Sequence, residues 1–133
     1  MDLAPLFLYL WLSSLMLFSS GTDAQLPCTY NVNGCSIPGN LPFFYRSIFR
    51  PACTLHDQCY RCGSYPLYLV SRENCDIRFH NNMLGICLGR GSVDMSSCLT
   101  FARIYYLAAR FGGTSRYRTL PDAHCGLVPH CMI

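Results

Sequence analysis

Residues 51–63, PACTLHDQCYRCG, decide how this chain is read. They hold three cysteines, a His-Asp pair and a tyrosine. Pro51 suits the first turn of a helix, where its missing N–H removes no bond, and Gly63 suits its end. The stretch therefore predicts a helix over 51–62. On it His56, Cys59 and Tyr60 fall at i, i+3 and i+4 and share one face. Asp57 projects about 100° away and is available for a second task. A histidine beside a disulfide, with a carboxylate next door, fixes a general base and a metal ligand on one rigid rod.

N-terminal to this rod, residues 3–18 form an uncharged apolar run followed at once by small and polar residues, SSGTDA. That is the layout of a secretory signal peptide, and the run is short for a membrane span. Thr22-Asp23-Ala24 fits a small-x-small cleavage pattern, which makes 1–24 the leader and 25–133 the mature domain; cleavage after Gly21 is the rival. Removing 1–24 takes two aspartates and no basic residue, so the net charge moves from +3 to +5. All ten basic residues are arginines, whose forks suit phosphate and carboxylate. An anionic surface is the expected partner, with a solvated basic face as the alternative and no nucleic acid expected.

All ten cysteines lie after the leader. An even count at this density in a secreted chain reads as five disulfides. Zinc is the competing reading of Cys59-x-x-Cys62, but no second CxxC or HxxxH completes a ligand set.

Residues 25–49 contain five prolines or glycines and no helical period, and read as loop. They carry the turn-prone Asn31-Val32-Asn33-Gly34-Cys35 and an apolar set that includes Ile37, Leu41, Phe43, Phe44 and Tyr45. Ser71 is an N-cap with Glu73 in the first turn, which predicts a second helix over 72–84, ended by Gly85. A third helix is expected over 95–111, capped by Ser92 or Asp94, with Leu99, Ile104, Leu107, Ala108 and Phe111 as its apolar stripe. The tail, 114–133, reads as loop held by disulfides. His80, His124 and His130 have no partner signal and read as structural or exposed.

Cys75-Asp76 follows the His-Asp pair by about twenty residues, on the next expected helix. If Cys59 pairs with Cys75, their Cα atoms are held within roughly 4.4–6.8 Å. In an antiparallel helix pair His56 then faces Asp76, and Tyr60 can donate to the same carboxylate. That is a base oriented by a buried acid, with no nucleophilic serine, and it suits the activation of water. Asp57 offers a hard oxygen, and Asn33, Gly34 and Cys35 add backbone carbonyls if a Cys35–Cys53 bridge draws the loop close. Oxygen-only ligation is calcium's preference.

His56-Asp57-x-Cys59-Tyr60 resembles the HDxCY helix of secreted phospholipases A2, and Cys75-Asp76 resembles the CD that opens their second long helix. The NGCSIPGNLPF and PACxxHDxCYxCG runs look most like the conodipines, venom phospholipases A2 of cone snails. Residues 72–83 and 97–111 are also similar to the compact bacterial and fungal enzymes of the superfamily, and the resemblance covers about residues 28–111. Ala52-Cys53 replaces the usual double cysteine. Asn33 stands about where the compact enzymes put an aspartate, which implies weaker calcium binding.

The resemblance implies a mainly α, disulfide-rich fold: a three-helix core with two antiparallel catalytic helices and long loops. It implies His56 as general base, Asp76 as the acid orienting it, Tyr60 as that acid's support and Asp57 as the calcium carboxylate. It further implies the bridges Cys35–Cys53, Cys59–Cys75 and Cys87–Cys98, leaving Cys28, Cys62, Cys125 and Cys131 open. The implied reaction is calcium-dependent hydrolysis of the sn-2 ester at a phospholipid membrane surface, by a secreted enzyme. Phe43, Phe44, Tyr45, Ile37 and Leu41, with Arg46 and Arg50, are the candidate lipid-facing set. Conodipines are two-chain products, so a second chain from proteolytic processing is a further implication. The rival is an inactive phospholipase-fold toxin that binds a receptor or channel.

Overall fold

A computed structural model describes residues 24–35 and 44–132. Nearly all of the expected leader, and Ile37, Leu41 and Phe43 of the expected lipid-facing set, lie outside those residues. Three helices carry the described part: α1 (Arg50–Cys62), α2 (Arg72–Leu88) and α3 (Ser92–Gly112), followed by two single 3-10 turns, Cys125–Leu127 and Pro129–Cys131. No strand occurs among the described residues, and none of the described helices is long and apolar enough to cross a membrane.

Pro51 occupies the first turn of α1, and the Gly63 N–H closes its end on the Cys59 carbonyl. Ser71 caps α2 by accepting from the Asn74 N–H, with Glu73 in the first turn. The second helix does not stop at Gly85, as its sequence suggested, but runs on to Leu88. An exposed glycine in a helix costs only about 1 kcal/mol. The next turn carries Cys87, fully buried and bonded to Cys98 of α3, and that anchor holds the helix past the glycine. Neither Ser92 nor Asp94 caps α3, because Gly91 does, without a side-chain bond. Asp94 instead accepts from Arg90 at 2.5 Å and from the Tyr45 hydroxyl, tying the start of α3 to the loop before α1.

Contacts run in opposite senses along neighbouring helices. His56 meets Asp76 while Cys59, further along α1, is bonded to Cys75, earlier on α2. Likewise Arg110 reaches Asp76 while Cys98 bonds Cys87. Helix α2 thus packs antiparallel to both α1 and α3. Two apolar clusters fill the interior. One joins Phe49, Ala52, Phe79, Met83, Ala102 and Tyr105 across the three helices. The other gathers Val70, Val128 and Met132 around the disulfides at the far end.

The stripe expected on α3 is not the helix's most buried face, although its Leu99 packs against the first cluster and its Ala108 lines a slot. The buried positions of α3 are Cys98, Ala102 and Tyr105, whereas Phe111 is 85% and Leu107 36% exposed. Both faces have helical spacing, and the Cys87–Cys98 bond helps select the one that turns toward α2.

The five bridges are Cys28–Cys131, Cys35–Cys53, Cys59–Cys75, Cys62–Cys125 and Cys87–Cys98. No thiol is free, so Cys59-x-x-Cys62 has no sulfur to offer zinc. Cys62–Cys125 and Cys28–Cys131 fasten the tail against α1 and the N-terminal segment. Phe49 lies at the centre of the first cluster, stacked on Tyr45 and edge-on to Tyr105, with no exposed surface. Phe49→Ala is expected to lower stability by about 3–5 kcal/mol, read as the urea midpoint shift of the fully oxidised protein.

Candidate active site

The α1 face that carries Cys59 also carries His56 and Tyr60, so the staple to Cys75 lays both side chains over the first turns of α2. His56 Nε2 lies 2.7 Å from Asp76 Oδ1, and the Tyr60 hydroxyl donates to the same oxygen at 2.6 Å. Because a carboxylate only accepts, Nε2 carries the proton and Nδ1 keeps a lone pair. The imidazole is stacked on Phe79 at 4.3 Å, which fixes its plane. Its side chain is 15% exposed, while that of Asp76 is fully buried.

Burial pushes the Asp76 carboxyl up, but donation from His56, Tyr60 and Arg110 outweighs it and holds the carboxyl below its ordinary value. Burial, and then the bond to Asp76, push the Tyr60 hydroxyl well above its usual range, so it stays a donor. The other Asp76 oxygen, Oδ2, accepts from Arg110 at 2.8 Å and from Arg72 at 3.4 Å. Arg72 also reaches the carbonyls of Ala109 and Arg110 at 3.2 and 3.1 Å, clamping the last turn of α3 onto the start of α2.

Asp57 points elsewhere on α1. Its Oδ2 accepts the Asn33 N–H at 3.1 Å and Arg61 Nε at 3.2 Å. Among the described residues nothing donates to Oδ1. The 33–35 loop is thus docked on Asp57 and tied to α1 through Cys35–Cys53. Gly34 takes a φ of +70° there, a conformation that favours glycine. Gly34, Cys35, His56 and Asp57 all line one slot of about 70 Å³, which Phe79, Tyr105, Ala108, Ala109 and Gly112 of α3 and the Gly113 that follows it help complete.

These oxygens suit a hard cation: a carboxylate with one oxygen that no described residue donates to, beside a loop of backbone carbonyls, with every thiolate removed by pairing. The two sulfur- and histidine-containing clusters elsewhere, Cys28-His130-Cys131 and Cys62-His124-Cys125, are built on disulfide sulfurs and offer no thiolate.

Several supports have no counterpart in the motif. Gln58, fully buried, donates to the Cys28 and Tyr30 carbonyls at 2.9 and 2.6 Å and accepts from His124 Nε2 at 2.9 Å. It pins the segment that leads into the 33–35 loop, and it makes His124 structural. Arg72 was detectable in principle, four residues before Asp76 on one helix; Arg110 and Gln58 left no local signal. Of the expected lipid-facing set, Phe44 is 60% exposed and Arg46 and Arg50 are exposed, but Tyr45 packs inward on Phe49 and Phe101. His80 stacks on Tyr106 away from the slot.

Two antiparallel helices stapled beside a histidine, with the acid of the second helix holding the imidazole of the first, define the phospholipase A2 class of fold. The family model described as prokaryotic phospholipase A2 matches residues 8–113, and the chain belongs to that family. It is similar to Conodipine-P1 of Conus purpurascens, 28% identical over 83% of this chain and 86% of that protein. It is also similar to Conodipine-P3 and Conodipine-P2 of the same snail, 44% and 43% identical over 53% of this chain and 37% of each relative. No solved structure matches significantly.

Two outcomes are expected. A Cβ at Gly113 meets the Tyr60 hydroxyl at 2.5 Å and the Ala109 carbonyl more closely still. Gly113→Ala should therefore displace Tyr60 and lower thermal stability, read by calorimetry. Because the folded Asp76 carboxyl sits below its unfolded value of about 3.9, its contribution is fully present above that pH and fades as pH falls through the folded value. Asp76→Asn should be less stable than wild type at pH 7, with the gap narrowing below about pH 4 in stepped-pH denaturation.

Proposed function

We propose that this chain is a secreted, calcium-dependent phospholipase A2 that hydrolyses the sn-2 ester of glycerophospholipids with water activated by His56. The contact between His56 Nε2 and Asp76 Oδ1, 2.7 Å long at the wall of the slot, carries the reading. His56 Nδ1 accepts a proton from water as the oxygen attacks the ester carbonyl. Asp76 holds the tautomer and stabilises the imidazolium that forms, while Tyr60, Arg72 and Arg110 keep Asp76 ionised and in place. As the tetrahedral adduct collapses, the imidazolium returns its proton to the departing glycerol oxygen.

Asp57 and the carbonyls of Asn33, Gly34 and Cys35 are the groups that hold calcium. Bound calcium supplies Lewis-acid polarisation of the ester carbonyl and positive charge against the developing oxyanion. With one carboxylate and Arg61 already on it, the site should be weak, about 10⁻⁴–10⁻³ M, as in extracellular modules. The apolar side of the slot, Phe79, Tyr105, Ala108 and Ala109, takes the acyl chain, and exposed Phe44 meets lipid. Five disulfides support secretion, and likeness to the conodipines supports a place in venom. The single carboxylate also supports a second reading, a weakly active or inactive phospholipase-fold toxin that binds a receptor or channel.

Fatty-acid release from phosphatidylcholine vesicles tests the proposal in three arms: calcium, chelator, and His56→Gln with calcium. Release is expected in the first alone, with His56→Gln lowering kcat by about 10²–10⁴. Equal release in all three arms overturns the mechanism. No release from correctly oxidised protein favours the toxin reading.

A further inference from the structure

Asp57, the carboxylate proposed to hold calcium, is shared with a guanidinium. Arg61, one turn further along α1, donates from Nε to Asp57 Oδ2 at 3.2 Å. The same guanidinium donates from Nη1 to Asp122 Oδ2 at 3.2 Å. One cation thus spans two carboxylates, with a different nitrogen on each. Only 11% of the Arg61 side chain is exposed, so water screens these pairs less than an open surface pair.

Asp122 is the fixed member of the three. Its N–H donates to the Arg61 carbonyl at 3.3 Å, and its carbonyl accepts the Cys125 N–H at 3.1 Å. Cys125 is in turn bonded to Cys62, the residue after Arg61. The Arg118 N–H donates to the Tyr60 carbonyl at 2.9 Å, and Arg118 Nε donates to Asp122 Oδ1 at 3.3 Å. These bonds hold the Asp122 carboxylate beside the end of α1 without help from the Arg61 side chain. Arg61 is the member with room to move. With Asn33 and Asp57 it borders an opening of about 550 Å³, and a turn of its terminal bonds can free Nε while Nη1 stays on Asp122. Asp57 Oδ2 then still accepts the Asn33 N–H at 3.1 Å.

We infer that Asp122 sets the calcium affinity of Asp57 by acting on Arg61, which lies on Asp57 before calcium binds and is drawn off toward Asp122 when it does. The inference rests on the proposed calcium site at Asp57. A divalent cation on that carboxylate meets Arg61 as a like charge, and the repulsion falls as the guanidinium withdraws. Asp122 is therefore a positioning residue, 61 residues along the chain from the arginine it moves and beyond residue 113, where the family match ends. A plain charge effect has a different consequence. If Asp122 merely adds negative charge near the site, its loss weakens calcium binding whether or not Arg61 is present. If it works by holding Arg61, its loss matters only while Arg61 is there.

Calcium titrations test this in the oxidised protein, followed by the amide NMR signals of Asn33 and Gly34 at an ionic strength of about 0.15 M, where screening limits long-range effects. Arg61→Gln should lower the calcium Kd by about fivefold, and Asp122→Asn should raise it by about fivefold, the size of one well-formed ion pair. Adding Asp122→Asn to Arg61→Gln should change Kd by less than about twofold. The Arg61 Nε–H signal, assigned by its loss in Arg61→Gln, should shift as calcium binds the wild-type chain. Circular dichroism melts establish that the variants fold. Should Asp122→Asn not fold, the Arg61→Gln affinity and the Nε–H signal decide. Calcium binding that Arg61→Gln leaves unchanged or weaker overturns the inference. Equal weakening by Asp122→Asn in both backgrounds overturns it too, as does an Nε–H signal that saturating calcium does not move. In each of those cases calcium still binds, and the hydrolysis stands. The expected pattern of affinities, with no fatty acid released from vesicles, keeps the role of Asp122 and sinks the hydrolysis. No calcium binding by any of the proteins, Arg61→Gln included, sinks both.

Discussion

A carboxylate with no exposed surface stands where the three helices meet, and the rest of the structure is arranged to keep it charged. Asp76 accepts from His56 and Tyr60 of α1, from Arg72 one turn earlier on α2, and from Arg110 of α3. Burying a lone carboxylate is severely unfavourable unless every acceptor site is filled. Here the donors come from three separate elements, so satisfying the acid also fixes the relative placement of the helices. The imidazole orientation follows from the same bonds. In the proposed hydrolysis, an imidazole held this way needs no nucleophilic side chain, only a water at Nδ1.

Holding such a site in a small domain requires more than apolar burial. The smaller a domain, the less of its unfolded surface it buries to offset chain entropy, and here much of the interior is cysteine. The bridges divide the task. Cys59–Cys75 sets the register of α1 against α2, and Cys87–Cys98 does so for α2 against α3. Cys35–Cys53 brings the carbonyl-bearing loop to Asp57. Cys62–Cys125 and Cys28–Cys131 close the tail over the end of α1, where Gln58 and His124 satisfy one another and the N-terminal carbonyls.

The charges around α1 separate two environments along a short stretch of chain. On the His56 side, arginines are consumed by Asp76 and by the carbonyls ending α3. On the Asp57 side, Arg61 and Arg118 are shared through Asp122 and border an open groove. Successive residues on a helix point about 100° apart, which is why adjacent side chains can serve a hydrophobic slot and a polar groove.

The sequence alone determined what local chemistry encodes. The span of α1, the Ser71 cap of α2, the shared face of His56, Cys59 and Tyr60, and the dense cysteine framework each rest on residues within about one turn of one another, or on composition. Tertiary structure decided the remainder. Gly85 reads as a stop until Cys87 is anchored, and α3 has two faces of helical spacing between which tertiary contacts choose, the Cys87–Cys98 bond and the Arg110–Asp76 pair among them. Arg110 lies 34 residues from Asp76, and His124 lies 66 from Gln58. A side chain that far along the chain leaves no periodicity, cap or motif to read. Its role exists only once folding has buried an acceptor that needs a donor.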